Sequence, residues 1–302
     1  MNQLLTIRDR EVRITGLLVR TARLEGDGFE FLENPQTFLN ELRHADRRID
    51  LFTFMQRLPD TTPKYDYPLQ WDNFAALPIT TFEDWWSKQI GFKARNKAKQ
   101  AEKKGVLIRE VRFDESLVAG IREIYNETPV RQGRRFPHFG KSYEQVYAAE
   151  ATFLDRAIFI AAYFDSKLIG FVKLVYDETL TQAGTMNILS MISHRDKAPT
   201  NALVAQAVRS CAERGIRYLV YSQYAYGRKE RSGITEFKER NGFQRIDVPR
   251  YVVPFTAIGW GALKLGLNKT LGDYFPEVVG VRLRELRAAW YKHKYGASAE
   301  TA

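Results

Sequence analysis

A chain of 302 residues can bury a sizeable core and is long enough for one large domain or two of about 100–200 residues each. Its 44% hydrophobic and 13% aromatic content excludes a disordered polymer, and its single cysteine, Cys211, excludes an internal disulfide and points to a reducing compartment. With 46 basic against 36 acidic side chains the net charge is +10, which suits an anionic partner (nucleic acid, a phosphorylated cofactor or an anionic membrane face) or reflects ordinary surface charge.

The opening MNQLLTIRDREVR mixes charged and apolar residues and has no signal-peptide core. The most apolar run, Tyr251 to Leu263, is shorter than the roughly 20 residues that span a bilayer, so a cytoplasmic location is expected. Residues 12–25, VRITGLLVRTARLE, read as a strand closed by the Gly-Asp-Gly turn at 26–28. Asn34-Pro35 opens a helix through Phe38, Leu39 and Leu42, and Ile49 to Met55 is the next strand. Residues 58–72, rich in Pro, Asp, Thr and Tyr, read as a long loop before a strand over Asn73 to Ile79. Thr81 then begins a helical region to Gly105. Phe82, Trp85, Trp86 and Ile90 give it an apolar face, and Lys93, Arg95, Lys97, Lys99, Lys103 and Lys104 make its second half basic. That basic half is either a nucleic-acid or phosphate contact or a solvated helix face.

A strand from Val106 to Phe113 and a helix from Leu117 to Tyr125 lead into YNETPVRQGRRFPHFG. This cationic loop carries Arg131, Arg134, Arg135 and His138 and reads as an acceptor-binding element or an ordinary solvent loop. A helix over Tyr143 to Leu154, a hairpin over Ile158 to Tyr176 turning at Asp165-Ser166, and a strand over Thr185 to Ile192 follow. The stretch from Lys197 to Phe255 then concentrates chemistry-capable residues at its turns. Val204, Ala207, Val208, Cys211 and Ala212 form one apolar helix face, with Gly215 at the C-cap; Cys211 on that face reads as inert core. Ile216 to Tyr224 is a strand, Ser232 caps the next helix, and Asn241-Gly242 ends it. The start of the helix after Lys197 is a place for an anionic group. In the tail, FTAIGWGALKLGLNK at 255–269 reads as a membrane-interface segment or one packed on its own domain. The last helix, VRLRELRAAWYKHKYG, reads as a contact to tRNA or lipid or as a docked helix with a wet face.

RNKAKQAEKKGV at 95–106, ETPVRQG at 127–133, Ala198-Pro199 before an apolar helix ending AERG, and SGITEFKERNGF at 232–243 occur in an order and spacing that resemble the GNAT acyltransferase fold. More narrowly, they resemble the FemABX-like aminoacyl transferases, which pair two such domains. The likeness covers residues 80–255 well and the first 80 poorly. It implies an α/β (α+β) GNAT-like fold, a mixed sheet flanked by helices. The implied division is a reduced GNAT-like half at 1–115, a catalytic GNAT-like half at 116–256 and a basic helical tail at 257–302.

The resemblance also implies roles. The donor's anionic part would meet Arg195, Lys197, Ala198, Thr200, Asn201 and Ala202, although this loop lacks the glycines of an acetyl-CoA pyrophosphate loop. Lys238 stands where many acetyltransferases carry a tyrosine. FemABX-like enzymes have a Phe-Lys pair there, as Phe237-Lys238 does here, which implies oxyanion stabilisation by Lys238. Tyr224 and Tyr226 would relay a proton or line the cleft, and Tyr125, Arg131, Arg134 and Arg135 would hold the acceptor. The donor is either acyl-CoA, which the short length and reduced first half favour, or aminoacyl-tRNA, which the charge and missing glycines favour. The rival is a non-catalytic GNAT-like protein that binds nucleic acid or an anionic membrane surface. His44, His138, His194 and His293 lack partners at metal-ligand spacing, and no P-loop, G-x-G-x-x-G or G-x-S-x-G motif occurs.

Overall fold

The computed structural model describes residues 3–225 and 232–266, together with 287, 289–291, 293 and 294. Tyr226, Leu267 to Lys269 and most of the expected last helix lie outside the described residues. In chain order the elements are β1 (Gln3–Ile7), β2 (Arg10–Thr15), β3 (Thr21–Leu24), α1 (Pro35–Arg43), β4 (Leu51–Met55), β5 (Leu69–Pro78), α2 (Phe82–Asp84), a π-helical turn (Trp85–Gln89), α3 (Phe92–Lys103) and β6 (Leu107–Val111). They continue with α4 (Glu115–Asn126), β7 (Val130–Arg131), β8 (Arg134–Arg135), α5 (Tyr143–Glu150), β9 (Ala157–Phe164), β10 (Lys167–Tyr176) and β11 (Gln182–Ser190). Then come a 3-10 helix (Ile192–Lys197), α6 (Pro199–Glu213), β12 (Tyr218–Gln223), α7 (Gly233–Arg240), β13 (Gln244–Pro254) and α8 (Ala257–Lys264).

One mixed sheet of eleven strands, in the order β1-β2-β3-β4-β13-β5-β12-β11-β10-β9-β6, carries helices on its faces. The apolar run LIGFVKLVY makes β10 a central strand, buried along almost its whole length. Two large cores sit on this sheet. One gathers α1 and β2–β4 around Phe52, Phe54 and Tyr251; the other gathers α4, α6 and β9–β11 around Phe171, Ile121 and Leu203. The sheet runs unbroken past the expected boundary at 115/116. β5 lies between β12 and β13, and β6, numbered with the first half, pairs with β9.

Several local expectations give way to turn chemistry. Residues 12–25 are not one strand: Gly16, at φ +97°, turns β2 into β3 and leaves Leu17 and Leu18 in the connection. The helix expected over 81–105 breaks at Gly91, whose extended backbone lets its amide bond Arg240 O at 2.8 Å. The loop expected over 58–72 ends early, because β5 starts at Leu69. Within the loop 125–140, Gln132 (φ 52°) and Gly133 (φ 64°) close a small hairpin of β7 and β8. Two helix starts follow the capping rules: Ser142 and Gln145 form a capping box on α5, and Ser232 Oγ accepts from Thr235 N at 3.1 Å on α7.

Candidate active site

The sheet opens at its centre. β11 and β12 pair in parallel only from Gln182 to Gly184, against Tyr218 to Val220, although β11 runs on to Ser190 and β12 to Gln223. Both strands bulge at this point. Met186 is the extra residue of β11, since Lys173 faces Asn187 while Leu174 faces Thr185. β12 gains a residue against β5 between Val220 and Gln223, with Ser222 left-handed at φ 50°. A bulge bends and twists its strand, so two bulged neighbours diverge. Residues Thr185 to Ser190 are accordingly half-buried in mid-sheet, where β10 beside them is buried. A gap at the carboxyl ends of parallel strands is where open α/β sheets take ligands.

The start of α6 lies beside this opening. Glu127 at the end of α4 fixes the approach to it, accepting from Ile192 N (2.7 Å), Ser193 N (2.9 Å) and Ser193 Oγ (2.7 Å). Burial alone would raise the Glu127 carboxyl, but those hydrogen bonds and Arg131 hold it below the usual range. Ala198 is left-handed at φ 54°, Pro199 follows at the first turn, and Ser190 Oγ meets Thr200 Oγ1 at 2.8 Å. The helix has no side-chain cap, so the amides of Thr200, Asn201 and Ala202 face the loop under the positive end of the helix dipole. Pro199 withdraws one amide from that set. Lys197 is directed elsewhere, its Nζ 4.5 Å from the Phe164 ring and 3.4 Å from Asp196 Oδ1, while Arg195 is exposed.

Lys238 stands at the opposite wall. Phe237 and Lys238 come from the second turn of α7, and Lys238 is fully buried. Its Nζ donates to Gln223 O, the last carbonyl of bulged β12, and lies 4.9 Å from the Tyr221 ring centre. Burial lowers its ammonium to about 8. One turn on, buried Asn241 joins the two helices: its Oδ1 lies 3.4 Å from Asn201 Nδ2, and its carbonyl accepts from Trp85 Nε1 at 2.9 Å. The cation and the start of α6 therefore flank one opening. Tyr224 donates its hydroxyl to Glu239 Oε1 at 2.7 Å; burial first, then that carboxylate, pushes the phenol up to about 12.

The expected acceptor residues separate. Arg131 is a clamp: it donates to Ser190 O (2.8 Å), Ile124 O (3.0 Å) and Glu127 Oε2 (3.1 Å) and lies 4.8 Å from the Phe136 ring. These internal partners account for its half-buried position. Arg134 and Arg135 are exposed on β8, beyond the clamp. Tyr125 is buried and donates to Glu150 Oε1 at 2.8 Å, with its phenol pushed up by burial and by that carboxylate.

Glu150 leads to residues that the sequence did not single out. It is fully buried at the end of α5, and its Oε1 also accepts from Asn187 Nδ2 at 2.9 Å, next to the Met186 bulge. Its Oε2 is buried without a hydrogen-bond partner among the described residues. Directly across from Asn187, buried Lys173 donates to Glu150 O (2.7 Å), Thr152 O (2.8 Å) and Thr152 Oγ1 (3.0 Å), and burial lowers its ammonium to about 8. A chain of tyrosine, carboxylate and amide thus reaches the edge of the opening. Cys211 is buried in α6 with its thiol pushed up to about 12, far from a reactive thiolate. Among the described residues no group of three or more His, Cys, Asp or Glu could hold a metal ion, and no helix is long and apolar enough to cross a membrane.

No family model matches the sequence, and no curated protein matches it. In three dimensions the chain is similar to FemX, with a TM-score of 0.57 at 11% identity over 87% of this chain and 90% of that one. It is also similar to L-PGS from Bacillus licheniformis, with a TM-score of 0.54 at 12% identity over 95% and 90%. A third likeness is to the C-terminal domain (DUF2156) of a protein from Agrobacterium fabrum assigned as a lysylphosphatidylglycerol synthetase, with a TM-score of 0.53 at 14% identity over 90% of each chain. The fold is GNAT/FemABX-like.

Proposed function

We propose that the protein transfers an acyl or aminoacyl group from an activated donor to an amine. The observation that carries this reading is the pairing of a sheet opening, bounded by two bulged strands, with a fully buried lysine held at its wall by Gln223 O. In the reaction the amine nitrogen attacks the donor carbonyl, the carbonyl π electrons move to oxygen, and the oxyanion forms where a fixed cation stabilises it most. Collapse of the tetrahedral intermediate breaks the donor's ester or thioester bond, and the proton given up by the amine balances the leaving group, which departs as the free hydroxyl or thiol. With its ammonium at about 8, Lys238 is about nine-tenths protonated at neutral pH, as oxyanion stabilisation requires. Asn187 serves as a positioning residue. Its amide nitrogen is turned to Glu150, which leaves Oδ1 as an acceptor for an N–H of the incoming amine.

For the donor, the reading favours aminoacyl-tRNA. The loop at 195–202 has a β-carbon and a proline where close amide approach to a pyrophosphate calls for glycine. Beside it, α3 presents exposed Lys93, Lys97, Lys99 and Lys103, and Lys104 Nζ reaches Asp196 O at 2.9 Å, so positive charge continues from that loop along a helix. Acyl-CoA is the second reading, favoured by the uncapped start of α6. Thermal shift and transfer assays against acyl-CoAs, charged tRNA and uncharged tRNA test both. Transfer to an amine that is lost in Lys238→Met with the fold retained supports the proposal. RNA binding with a steep salt dependence and no transfer from any donor refutes it in favour of a non-catalytic binder.

A further inference from the structure

The β2–β3 connection and α8 meet at one corner of the molecule. Val19 of the connection and Leu263 of α8 pack on the same small core of Leu51, Val252 and Ala262. Asp50, fully buried, staples the parts together: it accepts from Arg20 N (2.8 Å), from Arg48 Nε (3.1 Å) and Nη2 (3.0 Å), and from Thr256 Oγ1 (2.7 Å), the residue that caps α8. Gly259 brings α8 so close that an added β-carbon would stand 2.0 Å from Asp50 O. The docked side of α8 is thus Gly259 and Ala262, and its outer side is Ile258, Trp260, Gly261 and Leu265 with the single cation Lys264.

That corner exposes apolar side chains that a folded surface ordinarily hides. Leu17 and Leu18 at the turn are 82% and 87% exposed, and Ile258, Trp260 and Leu265 are 50%, 50% and 72% exposed. Cations surround them. Arg48 Nη2 bonds Leu18 O at 3.3 Å, the Arg43 guanidinium lies 5.2 Å from the Phe255 ring, exposed Arg47 pairs with Asp46, and exposed Lys264 lies on α8 itself. Both apolar parts are projections, a turn tip and a convex helix side, and such shapes enter a fluid interface more readily than a preformed pocket. Tryptophan and leucine inserted at headgroup depth, with arginine and lysine beside the phosphates, are the marks of an interfacial helix.

We propose that this corner docks the protein on a bilayer interface that carries anionic lipid. Leu17, Leu18, Ile258, Trp260 and Leu265 enter the headgroup region, and Arg43, Arg47, Arg48 and Lys264 meet the lipid phosphates. The eleven residues of β13 separate α8 from α7, a span of about 35 Å, so substitutions in the corner leave the transferase constellation untouched and the inference stands apart from that reading.

Cosedimentation of the full chain with vesicles of phosphatidylcholine alone, and of phosphatidylcholine with phosphatidylglycerol, tests it. The chain binds the anionic vesicles, and raising the salt weakens that binding. The pair Leu17→Ser and Leu18→Ser, and separately Trp260→Ser, each lowers vesicle affinity about tenfold at unchanged net charge. Leu107→Ser, an exposed apolar residue on β6 at the far edge of the sheet, changes nothing. Equal binding by wild type and both corner variants overturns the proposal by reducing the effect to general basicity, and so does failure to bind either vesicle. If the chain self-associates in size-exclusion chromatography and the same substitutions dissolve that species, the corner is an interface between copies and the proposal fails.

Discussion

Replacing Lys238 by methionine separates what the buried cation does for the reaction from what it costs the fold. Holding a fully buried ammonium at about 8 instead of 10.5 corresponds to about 3 kcal/mol, and residual solvent screening reduces this to about 2 kcal/mol at neutral pH. Methionine removes that penalty and leaves Gln223 O without its donor, a loss of about 1–3 kcal/mol, so the variant's stability at neutral pH stays close to wild type. The informative quantity is the change with pH. Between about 8 and 10.5 the unfolded lysine holds its proton while the folded one has lost it, so wild-type stability rises with pH through this window. Methionine has no such term, and the stability difference between the two proteins shifts by about 2 kcal/mol toward wild type. Urea unfolding followed by circular dichroism at neutral pH and near 10 measures it, with the Lys173 contribution common to both proteins. In the transfer assay, oxyanion stabilisation predicts a rate that falls as pH passes about 8, whereas a general base in the same place predicts a rise. A stability difference independent of pH would refute the burial argument. A methionine variant with full transfer activity would refute the catalytic one.

Three further outcomes follow from the same geometry. Glu150→Gln keeps an acceptor for Tyr125 and Asn187 but removes the buried charge near Lys173; the fold is retained, and KM for the acceptor amine rises about tenfold with a smaller change in kcat, read from steady-state kinetics. Arg131→Ala leaves Glu127 without its ion pair and Ser190 O and Ile124 O without donors, which lowers stability by about 2–3 kcal/mol in denaturant unfolding, whereas exposed Arg135→Ala changes it by less than about 0.5 kcal/mol. Burial, followed by Lys141 and Arg131, lowers the His138 imidazole to about 4, so its contribution is complete above 6.5 and is lost as pH falls toward about 4; the variant His138→Phe loses that part of the acid sensitivity in thermal unfolding.

What the sequence made legible here is local chemistry, and what it hid is pairing across the fold. Lys238 could be found because its position, four residues before Gly242 in FKERNGF, is a local spacing, as is the Ser232 cap of its helix. Arg131 shows the opposite. A cation among Gly, Pro and Arg reads as a ligand-facing charge, and only the turn at Gln132-Gly133 and the carboxylate of Glu127 bring it back onto the body of the protein. The Glu150 chain was hidden for a stronger reason. Glu150 ends a short, largely exposed helix, where a glutamate ordinarily faces water, and its partners Tyr125, Lys173 and Asn187 come from α4, β10 and β11. Asn187 faces Lys173 because Met186 bulges out of the ladder; were Met186 to take a regular place there it would face Lys173 itself, and the alternation along MNILS would turn the amide to the other face of the sheet. The bulge at the sheet opening is therefore also the one that keeps Asn187 on the side of Glu150. A deletion of Met186 joins Thr185, opposite Leu174, directly to Asn187, opposite Lys173, so it should remove the bulge and narrow the opening while the Asn187–Glu150 hydrogen bond persists.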